Sequence, residues 1–345
     1  MPSNKTRRIH AGARRSKLHA ALLVFAVLQA TWTAPSAFAA APPVGSQAPG
    51  FYRMMLGKFE ITALSDGTHP FPVHNVLTQA DGSGRSVAYD QRSPGAATAL
   101  LAENGLAVPV QGSINAYLIN TGSKLVLIDS GAGSLYGDCC GRMLDNLKAA
   151  GYSPEQVDEI YLTHLHADHV GGINANGNMA FPNAVVRVSE ADASYWLSDK
   201  NEKAAPELLH SMFEGDKASL RPYIATGRLK PFRYGEQLSP GITPIAAPGH
   251  TPGHSFFEVE SAGQKLLVWG DVVHVASIQF ADPSVTVAYD SDAPLAEAER
   301  EKVFSDAARG GYWIGAAHIS FPGLGHVHAA EGRFSWLPIN YDALR

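Results

Sequence analysis

Three histidines and a carboxylate fall within six residues at His164, His166, Asp168 and His169, in the stretch THLHADHVGG that directly follows an apolar run. On extended chain, residues two apart point to the same side, so His164 and His166 can grip one ion together. The turn that follows can aim Asp168 and His169 at a neighbouring position. Gly171 and Gly172 then let the backbone approach closely. Four such groups placed after an apolar strand serve stability poorly. Imidazole and carboxylate without thiolate suit zinc, and also iron, manganese or cobalt.

Three further features fit the same chemistry. Two Pro-Gly pairs flank a histidine in Ala247-Pro248-Gly249-His250-Thr251-Pro252-Gly253-His254, a rigid turn that can fix one imidazole. His250 is the expected ligand and His254 its support. Asp271 ends the strand-like Leu266 to Val268 after Trp269-Gly270, where a carboxylate can bridge two cations. His318 follows Ala316-Ala317 where a last strand stops, which favours it over the nearby His326 and His328.

These residues need strand ends to hold them. Phe59 to Leu64 alternates apolar and polar residues, as a strand does. Asn115 to Ile119 and Lys124 to Ile128 read as a hairpin running into Asp129-Ser130-Gly131. Ile160 to Thr163, Ala184 to Val188, Ile242 to Ala246, Ser255 to Val259, Leu266 to Val268 and Tyr312 to Ala316 are further strands. Helices are expected around Met143, Leu144 and Leu147, from the Ser153-Pro154 cap onward, over Glu190 to about Arg233, and over Ala293 to Ala308. Gly82 to Gly95 reads as a surface loop, and Ala40 to Gly50 as a linker or arm. Irregular alternation of strands and helices, with hairpins, predicts a layered α/β fold with mixed sheets.

The chain has 345 residues, 45% hydrophobic and 17% charged, an ordinary globular balance. Its first forty residues differ. Six basic residues and no acid precede the apolar Leu18 to Leu28, and Ala37-Phe38-Ala39 supplies the small residues a signal peptidase reads. The apolar run is short of the roughly 20 residues a span needs. Residues 1–39 are therefore expected to be a signal peptide, by the general or, given Arg7-Arg8 and Arg14-Arg15, the twin-arginine route. That predicts an exported, periplasmic or secreted protein with one domain over residues 40–345. Removing the six basic residues leaves 21 Lys+Arg against 32 Asp+Glu, a net charge of −11. Such a chain should seek neither nucleic acid nor anionic membrane, and a small neutral substrate fits better. The two cysteines, Cys139 and Cys140, are adjacent, so they make no disulfide framework. They read either as a buried pair of small apolar side chains or as a zinc thiolate.

The pattern H-x-H-x-D-H at His164 to His169, followed by His250, Asp271 and His318, resembles the metallo-β-lactamase fold superfamily. Within it, GFYRMMLGKFEITALSDG from Gly50, NLKAAGYSPEQVDEIYLTHLHADHVGG from Asn146, GDVVHVASIQFADPSVTVAYDSD from Gly270 and GGYWIGAAHISFPGLGHV from Gly310 are similar to the methyl parathion hydrolase group. The resemblance implies an αββα sandwich, two mixed sheets packed face to face between helices, with two divalent metal ions at one edge. It implies that His164, His166 and His250 hold one ion, that Asp168, His169 and His318 hold the other, and that Asp271 bridges. Asp129 matches a supporting Asp. Tyr136, Trp196 and Phe213 match aromatic substrate-pocket positions, and homodimers are common in the group.

The expected activity is hydrolysis of phosphotriesters, aryl esters or lactones by water activated between two ions, zinc foremost, with Asp168 and Asp271 orienting the nucleophile. Related lactonases carry Tyr three residues after the bridging Asp. Here His274 stands there, and it too can donate a hydrogen bond. The alternative is a lactonase or carboxyl-esterase in which phosphotriester cleavage is incidental. A secreted metallo-β-lactamase ranks lower, since those enzymes lack a bridging carboxylate. A single-iron oxidoreductase ranks lower too, because its persulfide substrates lie inside cells. A non-catalytic zinc protein would not need the aromatic pocket.

Overall fold

The computed structural model describes residues 41–344, so the expected signal at 1–39 lies outside the described residues. From Ala48 onward the chain packs as one unit. Two six-stranded mixed sheets form its centre. The first runs in the order Phe51–Leu56, Phe59–Phe71, Val110–Asn120, Leu125–Ile128, Glu159–Tyr161, Val185–Arg187. Its first four strands pair antiparallel and its last three parallel. The second runs Ile242–Ala246, Ser255–Ser261, Gln264–Val268, Trp313–Gly315, Leu324–Ala330, Arg333–Pro338, with one parallel pair, Gln264–Val268 beside Trp313–Gly315.

The two-residue period of a strand explains the layering. Tyr117, Ile119, Val126 and Ile128 face Phe257, Val259, Leu266 and Val268 across the middle of the sandwich. Their neighbours Ala116, Leu118, Leu125 and Leu127 turn the other way, under Met143 and Leu147 of the helix Met143–Ala149 and Leu209, Phe213 and Leu220 of Glu207–Ala225. On the far side Phe256, Leu267 and Ile314 pack against Val303, Phe304 and Ala307 of the helix Ala293–Gly310. Strands buried on both faces read as continuous apolar runs, which is why LVLI and LLV carry no polar alternation. This is the αββα arrangement of two mixed sheets flanked by helices.

Several local expectations need correction. The helical stretch from Glu190 to about Arg233 is three helices, Glu190–Trp196, Asp199–Ala204 and Glu207–Ala225. Ser198 caps the second by accepting from Asn201 N, and Pro206, with no N–H to give, breaks before the third. Beyond it the chain bridges to Val186 and Ser189 of the first sheet's edge. The cap at Ser153 forms, its N–H donating to Gln156 Oε1 at 2.7 Å, yet only one 3-10 turn follows because Val157 turns extended into Glu159–Tyr161. The loop expected over 82–95 contains a short strand, Ser86–Ala88, and a helical turn, Tyr89–Arg92, anchored by buried Tyr89. No helix among the described residues is long and apolar enough to cross a membrane.

Candidate metal centre

The site lies where strands of both sheets end on one edge, a place where α/β sheets commonly bind ligands. Leu125–Ile128 delivers Asp129, Glu159–Tyr161 delivers His164 and His166, Gln264–Val268 delivers Asp271, and Trp313–Gly315 delivers His318. Asp129 holds a positive φ of 59°. Its carboxylate accepts from Thr163 N at 2.8 Å, Thr163 Oγ1 at 2.9 Å and His169 Nδ1 at 2.9 Å. One side chain thereby ties the first sheet to the histidine motif. Gly172 lets that motif's turn sit on the strand end: a Cβ there would meet Ser130 O at 1.8 Å.

The predicted residues converge. Ligand atoms of His164, His166, His250 and Asp271 lie within 4.8 Å of one another, as do those of Asp168, His169 and His318, and those of Asp271, His274 and His318. His326 and His328 lie elsewhere: His326 donates to Tyr312 O and packs tilted against Trp313, and His328 is exposed.

Four of the five histidines are oriented from behind by a hydrogen bond, while His166, whose Nε2 has no partner, packs against Trp196. His169 Nδ1 donates to Asp129, His250 Nδ1 to Asp290 at 2.7 Å, His318 Nδ1 to Ser113 O at 2.9 Å, and His164 Nδ1 to Thr163 Oγ1 at 3.0 Å. Such partners fix the tautomer and leave the other nitrogen as an inward lone pair. Lone pairs then crowd together. His166 Nδ1 is 3.2 Å from His164 Nε2 and 3.1 Å from His250 Nε2, and Asp271 Oδ2 is 3.3 Å from that same His250 atom. His169 Nε2 and Asp271 Oδ1 stand 3.0 Å apart, yet neither buried atom has an aligned hydrogen-bond partner. Electron pairs facing one another in a buried space repel unless a cation lies among them. The donor set therefore fits divalent metal ions.

Burial and the shared Asp271 carboxylate pull the imidazoles in opposite directions. Burial opposes charge on Asp271, but His169, His318, His164 and His274 together hold it well below the usual carboxylate range. Burial, then neighbouring imidazoles, push His164 and His166 well below the ordinary histidine value, so both are neutral, the form that ligates metal. Against burial, Asp271 and Asp290 raise His250 to about 9, and Asp271 raises His169 and His318 as well, so these imidazoles hold protons against the buried carboxylate that a metal ion would displace.

A family model described as the metallo-β-lactamase superfamily matches residues 109–309. The chain belongs to this superfamily. The solved structure of "hydrolase AbOPH in beta lactamase superfamily" is 38% identical, with a TM-score of 0.79 over 86% of this chain and 100% of that one. AidC, a dizinc quorum-quenching lactonase solved with a product, is 27% identical, with a TM-score of 0.74 over 85% of this chain and 99% of its own. An N-acyl homoserine lactonase of Bacillus cereus is 27% identical over 164 residues, 47% of this chain and 56% of that protein. The chain thus spans about half the length of the curated relative it matches.

A cavity of about 190 Å³ opens onto the donor cluster, reaching His166, Asp168, Asp271, His274 and His318. Tyr136 lines it, its hydroxyl donating to Asp168 Oδ1 at 3.4 Å. Trp196 and Phe213 do not line it, which corrects their expected role. Both are fully buried, Trp196 edge-on behind His166 and Phe213 tilted against Trp196 with ring centres 4.5 Å apart. The cavity wall is formed instead by Leu208 and Met212, the latter one residue before Phe213 on the same helix, and by Phe71 and Tyr289. The grouping of Leu208, Leu209, Met212 and Phe213 on one apolar face concealed that split. Asp192, which accepts from Leu165 N, Thr251 Oγ1 and Gly253 N, and Asp290 carry no motif that could have found them.

Proposed function

We propose that this chain hydrolyses small neutral esters, lactones foremost, with two divalent ions, zinc first among them, held by His164, His166 and His250 on one side, Asp168, His169 and His318 on the other, and Asp271 between. The observation that carries this reading is the junction of an apolar cavity with a buried nitrogen and carboxylate cluster. Bound there, divalent ions would supply Lewis acidity toward a carbonyl oxygen and would acidify water.

The chain's own residues do the rest. Phe71, Ile114, Leu208 and Met212 take up the apolar part of a substrate and exclude water from the reacting end. Burial, followed by the charges of Asp168 and Asp271, keeps the Tyr136 hydroxyl protonated far above its ordinary range, so it remains a donor at the cavity wall. His274 reaches the cavity beside Asp271, with Nε2 3.1 Å from Asp271 Oδ2, and can donate to a carbonyl or leaving oxygen. Asp168 and Asp271 orient the attacking water. Export of the chain belongs to the same reading.

A second reading, cleavage of aryl esters and phosphotriesters, is favoured by the aromatic walls Phe71, Tyr136 and Tyr289, which suit a phenolic leaving group. Metal-analysed protein assayed against an acyl homoserine lactone, dihydrocoumarin, an aryl acetate and methyl parathion tests both. Lactone opening with the higher kcat/KM supports the first reading. Turnover of methyl parathion alone selects the second, and inactivity of metal-loaded protein toward all four rejects both.

A further inference from the structure

The segment that carries Tyr136 to the cavity is anchored at both ends by one buried carboxylate. Asp66 Oδ2 accepts from Ala132 N at 2.9 Å and from Gly141 N at 3.0 Å, and Oδ1 accepts from Met143 N at 3.1 Å. Between those anchors lie Cys139 and Cys140, both free thiols, with their Sγ atoms 2.9 Å apart. The Cys139 S–H donates to Tyr136 O at 3.2 Å. His69 links the same parts: its Nδ1 is 3.8 Å from Cys139 Sγ, and its ring centre is 5.1 Å from that of Tyr136. On the other side Cys140 borders a separate, open hollow of about 590 Å³, and Cys139 is the less buried of the two.

We propose that Cys139 and Cys140 form a reversible redox-modification site, oxidised by small-molecule disulfides to a vicinal disulfide that displaces Tyr136 in the cavity wall. Cys139, the more exposed of the two, attacks first as the thiolate. It bonds to one sulfur of the small disulfide and expels one small thiolate, which takes up a proton. Cys140, whose thiol is held up by burial and by Cys139, then loses its proton and attacks the Cys139 sulfur, expelling the second small thiol. The two protein sulfurs lose two electrons in all, the reagent gains them, and two small thiols leave. Neighbouring Cα atoms are about 3.8 Å apart, closer than the roughly 4.4–6.8 Å usual for bridged cysteines. The ring is therefore strained and readily reopened by thiols, as a switch requires and a structural bridge does not.

The coupling to the cavity follows from what cannot move. Ring closure removes the S–H that holds Tyr136 O and turns the Cys139–Cys140 peptide. Movement toward the first sheet is blocked, because Gly67 already lies against Cys139 O, where even a Cβ would sit at 2.1 Å. Asp66 pins both ends. The turn is left to relax through Tyr136, away from Asp168 and His69.

The test treats the metal-loaded full chain with oxidised glutathione, then with dithiothreitol. Intact mass should fall by two hydrogens with no adduct, and hydrogen exchange across residues 132–143 should rise. Both should revert on reduction. KM for an aryl ester should rise roughly two- to tenfold, the loss of one aromatic contact, with kcat little changed. Only the KM arm rests on the proposed hydrolase activity, so failure of that activity leaves mass and exchange to decide. Cys140→Ser should stop at a glutathione adduct on Cys139. The double variant Cys139→Ser, Cys140→Ser should keep the basal KM and ignore the reagent. Retained free thiols, a stable adduct on the wild type, or a closed ring with unchanged exchange would each overturn the proposal.

Discussion

The backbone N–H of Asp271 donates to His254 Nε2 at 3.1 Å, while His254 Nδ1 donates to Ala247 O at 3.1 Å. His254 thus holds the central carboxylate of the cluster without itself facing the cavity. Burial, followed by the charge of His250, lowers it to about 3, so it stays neutral and keeps both bonds. Replacing His254 with Ala frees the Asp271 backbone at the point where the strand ends. Turnover should fall about 10- to 100-fold with at least one ion retained, read by steady-state kinetics beside metal analysis. Unchanged kinetics would show that the strand end alone fixes Asp271.

Asp271 faces both groups of ligands. Asp271→Ala should lose about one equivalent of metal and lower kcat/KM by more than about 100-fold. Stripping the wild type with a chelator should lower Tm as well, because ions that bind only the folded state stabilise it, by about 2.7 kcal/mol at a free concentration 100 times Kd. A variant that keeps full metal content and activity would remove Asp271 from its bridging place.

His274 stacks on His318, with ring centres 5.1 Å apart, and touches Asp271 through Nε2. His274→Phe preserves the stack and deletes the donor. It should cost roughly 10-fold or more in kcat for lactones and leave KM nearly unchanged, as expected of a donor that acts on the reacting atoms. His274→Tyr should recover part of that loss. If the Phe variant keeps its kcat, His274 only fills space.

Glu159 begins the strand that leads into the histidine motif, paired with Lys124 and Arg187. Burial opposes its charge, but those two partners prevail and lower its value below the ordinary carboxylate range. A depressed native value stabilises the fold above the unfolded pKa of about 4.5, and that stability is lost as pH falls through the native value. Glu159→Gln should cost about 1–2 kcal/mol at pH 7 and flatten the acid side of a Tm against pH curve. Parallel curves for variant and wild type would mean the pair contributes nothing net.

Donors grouped in one short stretch are legible because covalent spacing nearly dictates their geometry. His164 and His166 share a side by the period of extended chain, and Asp168 and His169 follow within one turn. His250, Asp271 and His318 announce themselves by standing just past apolar strands. The paired sheets follow from runs such as Leu125–Ile128, apolar on both faces. Helix limits between Glu190 and Arg233 were less legible, because one apolar period runs across the breaks at Ser198 and Pro206.

The sequence by itself therefore determined the donor types, the fold class and the strand ends that present them. Only the tertiary structure decided which groups stand behind the donors and which side chains face the cavity. Asp290 meets His250 forty positions away, and Ser113 O meets His318 across 205, whereas Asp129, which meets His169, was already marked by the family resemblance. Met212 and Phe213 are neighbours on one helix, and only the packing of Glu207–Ala225 on the first sheet sends Phe213 in against Trp196 and Met212 to the cavity wall. Contacts of that kind depend on how two sheets and their covering helices pack, and no local spacing encodes that distance.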